Sequence, residues 1–566
     1  METLESSSIK KTEEKLKPKL FSVMKGYSKE QLVKDIVSGI IVAIIALPLS
    51  IALALASGVN PEQGLYTAIT AGFVVSFLGG SRVQIAGPTA AFATIVAGIV
   101  ASEGMDGLVI STIMAGIFLF IMGFCKFGSL IKYIPNTITS GFTFGIAVTI
   151  VVGQIKDFCG MSFKGSPIET TEKIAEIIKS AGTFNIQAFL IGLLSLAILI
   201  FWPKKLNKIP PSLIAVIVGS AIVKLSGINV NTIGDLYEIS SAPPTFSLPE
   251  FSFSRIKALI PNAFTIAVLA AVESLLSCVV ADGMIGSKHR SNMELTAQGV
   301  GNIVSALFGG IPATGAIART AANIKNGGRT PIAGMVHAVV LLIILVLLMP
   351  YAAMIPMSTI AAILFIVAYN MCGWREIVNQ VKIAPKSDIA VLFTTLILTV
   401  VFDLVIAIGA GIVLAALLFM KRMADVTEVH GWVYVDDEDT DPDHISLKKV
   451  PNNTRVYEIN GPMFFAASDK FNYILDDHSK IDVLCIRMRN VPAIDAAGVE
   501  MLDKITRRCK KLNIEVVFSH VNEQPMHAME KAGFVERVGR ENFCDHIDSA
   551  LIRASELEKM TSLKRA

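Results

Sequence analysis

The sequence predicts a membrane-embedded, all-α protein of fourteen transmembrane segments with a small α/β domain appended at its C-terminal end. Three observations carry that prediction. The 566 residues are 52% hydrophobic and only 17% charged, with a mean hydropathy of +0.59, more apolar than a soluble chain of this size can bury. The runs 36–61, 83–102, 107–125 and 331–374 carry no acidic or basic charge, and each can cross a hydrocarbon core of roughly 30 Å. After Met423 the chain turns polar, and short strand-like runs alternate with amphipathic helical ones.

Taken in order, the spans fall at 37–58, 63–79, 85–101, 107–125, 133–156, 184–202, 210–226, 256–281, 294–310, 312–325, 330–350, 354–371, 388–402 and 404–421. The third and tenth are broken, the ninth is weakly apolar, and the last two are separated only by Asp403. Seven segments per half is an odd number, so the second half runs upside down relative to the first, an inverted repeat. The flanks set the orientation. Lys10, Lys11, Lys15, Lys17, Lys19, Lys25, Lys29 and Lys34 precede the first span, and Lys421 and Arg422 follow the last. Both ends therefore read as cytoplasmic. The first apolar run starts near Ile36 without an early small-residue cleavage site, which argues against a secretory signal peptide.

The division expected is a cytoplasmic tail over 1–34, a transmembrane domain over 35–423, an acidic linker over 424–450 and an α/β domain over 451–566. In that last domain 455–459, 483–488 and 514–519 read as strands, and 498–511, 524–531 and 546–559 as helices packed on one sheet. Seven cysteines are scattered without CxxC or Cys/His spacing, so neither a disulfide framework nor a zinc site is expected, and the thiols read as reduced. The formal net charge is only +3 and no Gly-rich lysine loop occurs. Nucleic-acid binding, nucleotide hydrolysis, a metal and an organic cofactor are all outside the expectation.

Two apolar stretches are interrupted at corresponding places of the two halves, Ala86-Gly87-Pro88-Thr89-Ala90-Ala91 and Ile311-Pro312-Ala313-Thr314-Gly315-Ala316-Ile317-Ala318-Arg319. Proline in a membrane segment breaks the hydrogen-bond ladder, and such breaks persist where the freed backbone lines a cavity. A matched pair is the sequence mark of a substrate site near the midplane. Each break exposes the unpaired N–H groups of a half-helix, with the positive end of its dipole. Thr89 to Phe92 would supply one N-terminus and Gly315 to Ala318 the other, an arrangement that attracts an anion. The competing reading is that Gly87 and Gly315 serve only close helix packing.

Charged and polar residues inside the spans extend the candidate site. Arg319 follows the second break and could neutralise a carboxylate, or be a structural cation bonded to carbonyls or to Glu273. Glu273 ends an uncharged stretch from Ala258, where a carboxyl group could load and release a proton, or be permanently paired with Arg319 or a helix end. Ser50 and Leu53 on the first span are expected at the cavity. Asp403 reads as a cap between spans, and His337 as hydrogen-bonded packing rather than a proton relay.

The stretch from Ala46-Leu47-Pro48-Leu49-Ser50 to Gly64-Leu65-Tyr66, then Gly79-Gly80-Ser81-Arg82 and Gly87-Pro88-Thr89-Ala90-Ala91, resembles the signature of the SulP (solute carrier 26-like) anion transporters. Phe464-Phe465-Ala466-Ala467 and the turn Asp495-Ala496-Ala497-Gly498 resemble a STAS domain, the cytoplasmic module such transporters carry. The resemblance implies a seven-plus-seven repeat with core and gate subdomains, as in nucleobase transporters, a homodimer, and a place in the bacterial inner membrane.

Within the family, Ala271 to Ser277, Ala281-Asp282-Gly283-Met284, Lys288-His289 and Pro312 to Thr320 are most similar to the aerobic C4-dicarboxylate members. That implies proton-coupled uptake of succinate, fumarate or aspartate. The alternative is a sulfate, bicarbonate or chloride transporter, exchanger or channel. In sodium-coupled bicarbonate members an acidic residue at the place of Glu273 works with a hydroxyl one turn later and with the tenth segment. Ser277 keeps that hydroxyl here, but Ile317 stands where those members carry threonine, which favours protons over sodium. Leu49 replaces a glutamine common in relatives. The turn at Asp495 lacks the serine that related soluble STAS proteins phosphorylate, leaving folding, trafficking, dimer contact or docking of a cytosolic protein as the expected roles of the domain. A membrane sensor is the competing class, and the matched breaks favour transport over it.

Overall fold

The structure is a computed structural model that describes residues 16–565 apart from 25, 130–134, 166, 168, 204–209, 250–251, 403, 433–448 and 466–480. Asp403, the linker acids between 436 and 443, Ala466, Ala467 and the lysines at 10, 11, 15 and 25 lie outside the described residues. The chain forms two compact units, 1–412 and 413–566.

The first unit is helical because nearly every segment is an apolar run with a stop at each end. After a single turn α1 (Lys19–Val23) come α2 (Lys29–Ala56), α3 (Pro61–Leu78), the two-residue strand β1 (Ala86–Gly87) and α4 (Ala93–Phe124). Ser28 caps α2 by accepting from Gln31 N at 3.1 Å, and Pro61 opens α3 at the position where a missing N–H costs nothing. Gly104 breaks α4 at a positive φ of 71°, so the third and fourth spans are two helices joined without a loop. Next are α5 (Asn136–Phe158), α6 (Thr170–Lys179), α7 (Ile186–Phe201), α8 (Pro211–Ser226) and α9 (Ile233–Leu236).

The second half follows with α10 (Phe253–Ile285), α11 (Ser291–Leu307), β2 (Thr314–Gly315), α12 (Ile317–Lys325), α13 (Ile332–Ala352), α14 (Met357–Cys372), α15 (Trp374–Ile383), α16 (Lys386–Val401) and α17 (Leu404–Val426). Each of the fourteen expected spans has its helix within a few residues, with the third and tenth entered through β1 and β2. Seven helices among the described residues are long and apolar enough to cross a membrane by length and composition. The sequence reading left 157–183 and 372–387 as connections, whereas α6 and α15 form there. Both are short charged helices, and α6 is held by reciprocal bonds between its cap Glu169 and Glu172.

Packing sorts the helices into two groups. α4 packs on α10 and α11, α3 on α11 and α13, and α2 on α3 and α13, so segments one to four of the first half interleave with eight to eleven. α5 packs on α14 and α16, and α7 on α8 and α14. Small residues bring the helices of the first group close. A Cβ on Gly299 of α11 would stand 2.5 Å from the Gly116 carbonyl oxygen of α4, nearer than any real contact. Asp35, fully buried, ties α2 to the α12–α13 loop by accepting from Tyr27 Oη, Gln31 Nε2, Arg329 N and Thr330 Oγ1.

The second unit holds a five-stranded sheet. Its strands are β3 (Glu428–Trp432), β4 (Thr454–Asn460), β5 (Val483–Asn490), β6 (Glu515–Ser519) and β7 (Phe543–Cys544), in sheet order β3-β4-β5-β6-β7. β3 runs antiparallel to β4, and the other pairs are parallel. The helices are α18 (Ala496–Lys511), α19 (Glu523–Lys531), α20 (Phe534–Val538) and α21 (Ile547–Arg565). Alternation along β5 splits the core. Leu484, Ile486 and Met488 face Leu502, Ile505 and Phe534 on one side, while Val483 and Cys485 face Ile547, Ala550 and Leu551 of α21 on the other. The sequence reading had the three central strands and missed β3, β7 and α20, which are short or lie at the edges.

Candidate functional site

The two breaks meet. β1 and β2 pair antiparallel with Ala86 opposite Gly315 and Gly87 opposite Thr314, and Ala316 N extends the ladder to Ile85 O at 2.8 Å. Neither glycine has room for a side chain, because Arg319 and Gln84 pack against their α-carbons. A Cβ on Gly87 would lie 2.4 Å from Arg319 Nη1, and one on Gly315 2.1 Å from Gln84 Nε2. Beyond β1, Thr89 leads into a 3-10 turn (Ala90–Phe92) and then α4, and beyond β2, Ala316 caps α12. Two half-helices thus begin on either side of one short ladder, with their free N–H groups and positive dipole ends at this point.

The α10 helix lies across the pair and satisfies it residue by residue. Ser274 Oγ is 2.6 Å from Thr314 Oγ1 and accepts from Gly315 N at 3.0 Å, and Thr314 Oγ1 reaches Ala270 O at 3.2 Å. Ser277 Oγ donates to Thr320 Oγ1 at 3.4 Å, and Thr320 Oγ1 in turn accepts from Ile85 N at 3.0 Å. Glu273 Oε2 accepts from Thr89 Oγ1 at 2.9 Å. Arg319, 3% exposed, donates from Nη2 to the Pro88 carbonyl oxygen, while its Nη1 has no hydrogen-bond partner. Arg319 is therefore bonded to a carbonyl, and it makes no ion pair with Glu273 closer than 4.0 Å. A buried guanidinium with one unpaired nitrogen keeps capacity for an acceptor.

The cradle residues differ in access. Pro88, Thr89, Ala90, Ala91, Thr314, Gly315 and Ala316 are buried, and Ile317 and Ala318 are exposed at the start of α12. The sequence reading also put Ser50 and Leu53 at this place, but no hydrogen bond joins either to the breaks. Ser50 is fully buried with an unpartnered Oγ, and its carbonyl oxygen would be 2.1 Å from a Cβ on Gly64, so this part of α2 is packed tightly on α3. His337 departs from its expected hydrogen-bonded packing. It is fully buried and neither ring nitrogen has a partner, because α13 lies flush on α2 and α3 through Ala333 and Gly334.

One functional group escaped the sequence reading. Glu294, fully buried on α11, accepts from Gly80 N (2.8 Å), Ser81 N (3.0 Å) and Gln84 Nε2 (2.9 Å), fixing the turn that delivers β1. Gln84 then faces Cys278 Sγ of α10 through Oε1 at 3.0 Å. A buried acid in the weakly apolar ninth span was the available signal. Among the described residues no cluster of three His, Cys, Asp or Glu could hold a metal ion.

The comparisons with known proteins agree on one family. The sulfate permease family model matches residues 32–395, and the STAS domain model matches 444–550. YvdB of Bacillus subtilis (strain 168), named as a candidate sulfate transporter, is 39% identical over 528 residues, 93% of this chain and 98% of its own. The bicarbonate transporter BicA of Picosynechococcus sp. is 30% identical over 523 residues, 89% and 91% of the two chains. The solved transmembrane domain of a cyanobacterial BicA superposes with a TM-score of 0.61 at 30% identity, covering 68% of this chain and 99% of that one. Murine Slc26a9, an anion transporter solved in the inward-facing state, gives 0.85 at 20% identity, covering 98% and 96%, and so shares the fold. YvdB and BicA carry sulfate and bicarbonate names, so the expected kinship with C4-dicarboxylate members is not supported.

Proposed function

The chain belongs to the sulfate permease family of anion transporters and carries a C-terminal STAS domain, and from that premise we propose that it is a secondary transporter of a small inorganic oxyanion, sulfate or bicarbonate. It is not an enzyme. The observation that carries this reading is the antiparallel pairing of β1 with β2, which brings two half-helix N-termini to one point. An anion there would accept from the N–H groups of Thr89 to Ala91 and of Ile317 and Ala318, with the unpaired Nη1 of Arg319 beside it. Alanine, glycine and threonine bound the cradle, small side chains that allow an anion to approach the backbone. The C4-dicarboxylate reading rests on motif resemblance alone and is the weaker of the two.

Glu273 is the group proposed to couple transport to protons. It is the acid next to the cradle and bonds a hydroxyl rather than a cation, so its charge is free to change without breaking an ion pair. Sodium is disfavoured by Ile317. The lysine-rich flanks support cytoplasmic termini, and the bacterial relatives support a place in a bacterial inner membrane. A homodimer, with the STAS domain available to a cytosolic protein, completes the proposal. The experiment is uptake by proteoliposomes of labelled sulfate, bicarbonate and succinate, with and without an inward proton gradient or sodium. Accumulation of an inorganic anion that follows the proton gradient supports the reading. Succinate accumulation with no inorganic anion moved, or movement of none of the three, overturns it.

A further inference from the structure

A polar cavity lies along the same α4 and α10 helices that bound the cradle. It has a volume of about 350 Å³ and opens between α4, α5, α10, α16 and α17. Its wall follows α4 from Thr94, within two turns of Thr89, to Ser102, and α10 at Asn262 and Thr265. Glu169, the exposed N-cap of α6, is the one charged residue in the described wall, and no Lys, Arg or His lines it. Arg255, at the start of α10, donates to the Glu103 carbonyl oxygen at 3.5 Å and is not part of the wall. Alternation of the spans puts α6 on the side opposite the termini, which is the outer side under the orientation proposed above.

The wall hydroxyls have a common orientation of hydrogen bonds. Ser102 donates to Gly98 O (3.0 Å), Thr149 to Gly145 O (3.0 Å), Thr265 to Pro261 O (2.7 Å) and Thr399 to Thr395 O (2.7 Å). A hydroxyl whose proton is given to its own helix keeps only lone pairs for a ligand. Thr94, Thr170 and the Asn262 amide remain as neutral donors. This wall suits a species that brings its own O–H and penalises one that must shed water and find donors.

We propose that the cavity is an outer vestibule that admits singly charged, O–H-bearing oxyanions such as bicarbonate ahead of doubly charged ones such as sulfate, with Glu169 as the charge filter. The inference rests on the transport reading above. Repulsion from Glu169 acts twice as strongly on a dianion as on a monoanion at the same place. Bicarbonate can donate its O–H to the threonine lone pairs, whereas sulfate has no proton to offer.

The test is uptake of labelled bicarbonate and sulfate, at matched concentration, by proteoliposomes of the full-length protein and its Glu169→Gln and Glu169→Lys variants. Wild type moves bicarbonate faster than sulfate. Glu169→Gln raises the sulfate-to-bicarbonate ratio about threefold and Glu169→Lys further, and raising ionic strength does the same to wild type but not to Glu169→Gln. Glutamine keeps an oxygen for capping α6, so the helix is retained. Sulfate moving as fast as bicarbonate in wild type overturns the proposal, as does a ratio that is the same in all three proteins, the pattern a merely structural Glu169 would give. If neither anion moves, the transport reading itself fails and the filter falls with it.

Discussion

Thr89 donates its hydroxyl proton to Glu273 Oε2 across 2.9 Å, joining the first half-helix of the cradle to the α10 helix that crosses both breaks. The bond places an acid of one half of the chain on the cap of the other, so a change of charge at Glu273 is felt where the anion is held. Glu273→Gln keeps an acceptor for Thr89 but cannot titrate. Uptake by this variant is expected to persist downhill while losing its response to an imposed pH gradient. Thr89→Val removes the donor, and kcat/KM for the anion is expected to fall about tenfold, the size of one hydrogen bond to a charged group. Initial rates in proteoliposomes at several pH values check both.

Asp35 gathers donors from Tyr27, Gln31, Arg329 and Thr330 in a site with no solvent exposure. Asp35→Ala leaves those donors unpaired and is expected to destabilise the membrane unit by about 3 kcal/mol. A lowered midpoint of thermal unfolding in detergent, followed by size-exclusion chromatography, measures it.

Burial pushes the Cys485 thiol up to about 12 and the Cys509 thiol up to about 11, both above the ordinary value of 9.0. At pH 8 both are protonated in the folded protein and poor nucleophiles. Iodoacetamide at that pH is expected to modify the exposed Cys125 at least about tenfold faster than either, as read by mass spectrometry of peptides. Folding stability follows the same sign. The unfolded state loses these protons near pH 9, so stability contributed by the buried thiols is present below that pH and declines as pH rises through 9 toward 11 and 12.

The breaks were legible in the sequence because Pro and Gly interrupt runs that are otherwise uniformly apolar, and β1 and β2 form at those places. The central strands β4, β5 and β6 were legible from alternation and β-branched content. What the sequence could not display was partnership across long separations. Glu294 looks like an isolated polar residue in a weak span until Gly80, Ser81 and Gln84 of the other half close on it. Arg319 was open between a carbonyl, Glu273 and substrate, and the fold sets Nη2 on the Pro88 carbonyl while leaving Nη1 without a partner. His337 was misjudged, since a histidine's need for partners says nothing of whether close helix packing supplies them. The α6 and α15 helices were overlooked because short charged runs between spans read as loops.

Gly315 offers the most direct test of the cradle, because a single methyl group there would stand 2.1 Å from Gln84 Nε2 and displace the amide that joins Glu294 to the turn before β1, while a methyl on Gly153 of α5 meets nothing within 4 Å. The measurement is the initial rate of labelled bicarbonate and sulfate uptake by proteoliposomes containing equal amounts of folded wild type, Gly315→Ala or Gly153→Ala. Paired half-helix N-termini as the anion site require that Gly315→Ala lose at least about tenfold in rate while Gly153→Ala stays near wild type. Transport by Gly315→Ala at the wild-type rate would contradict it.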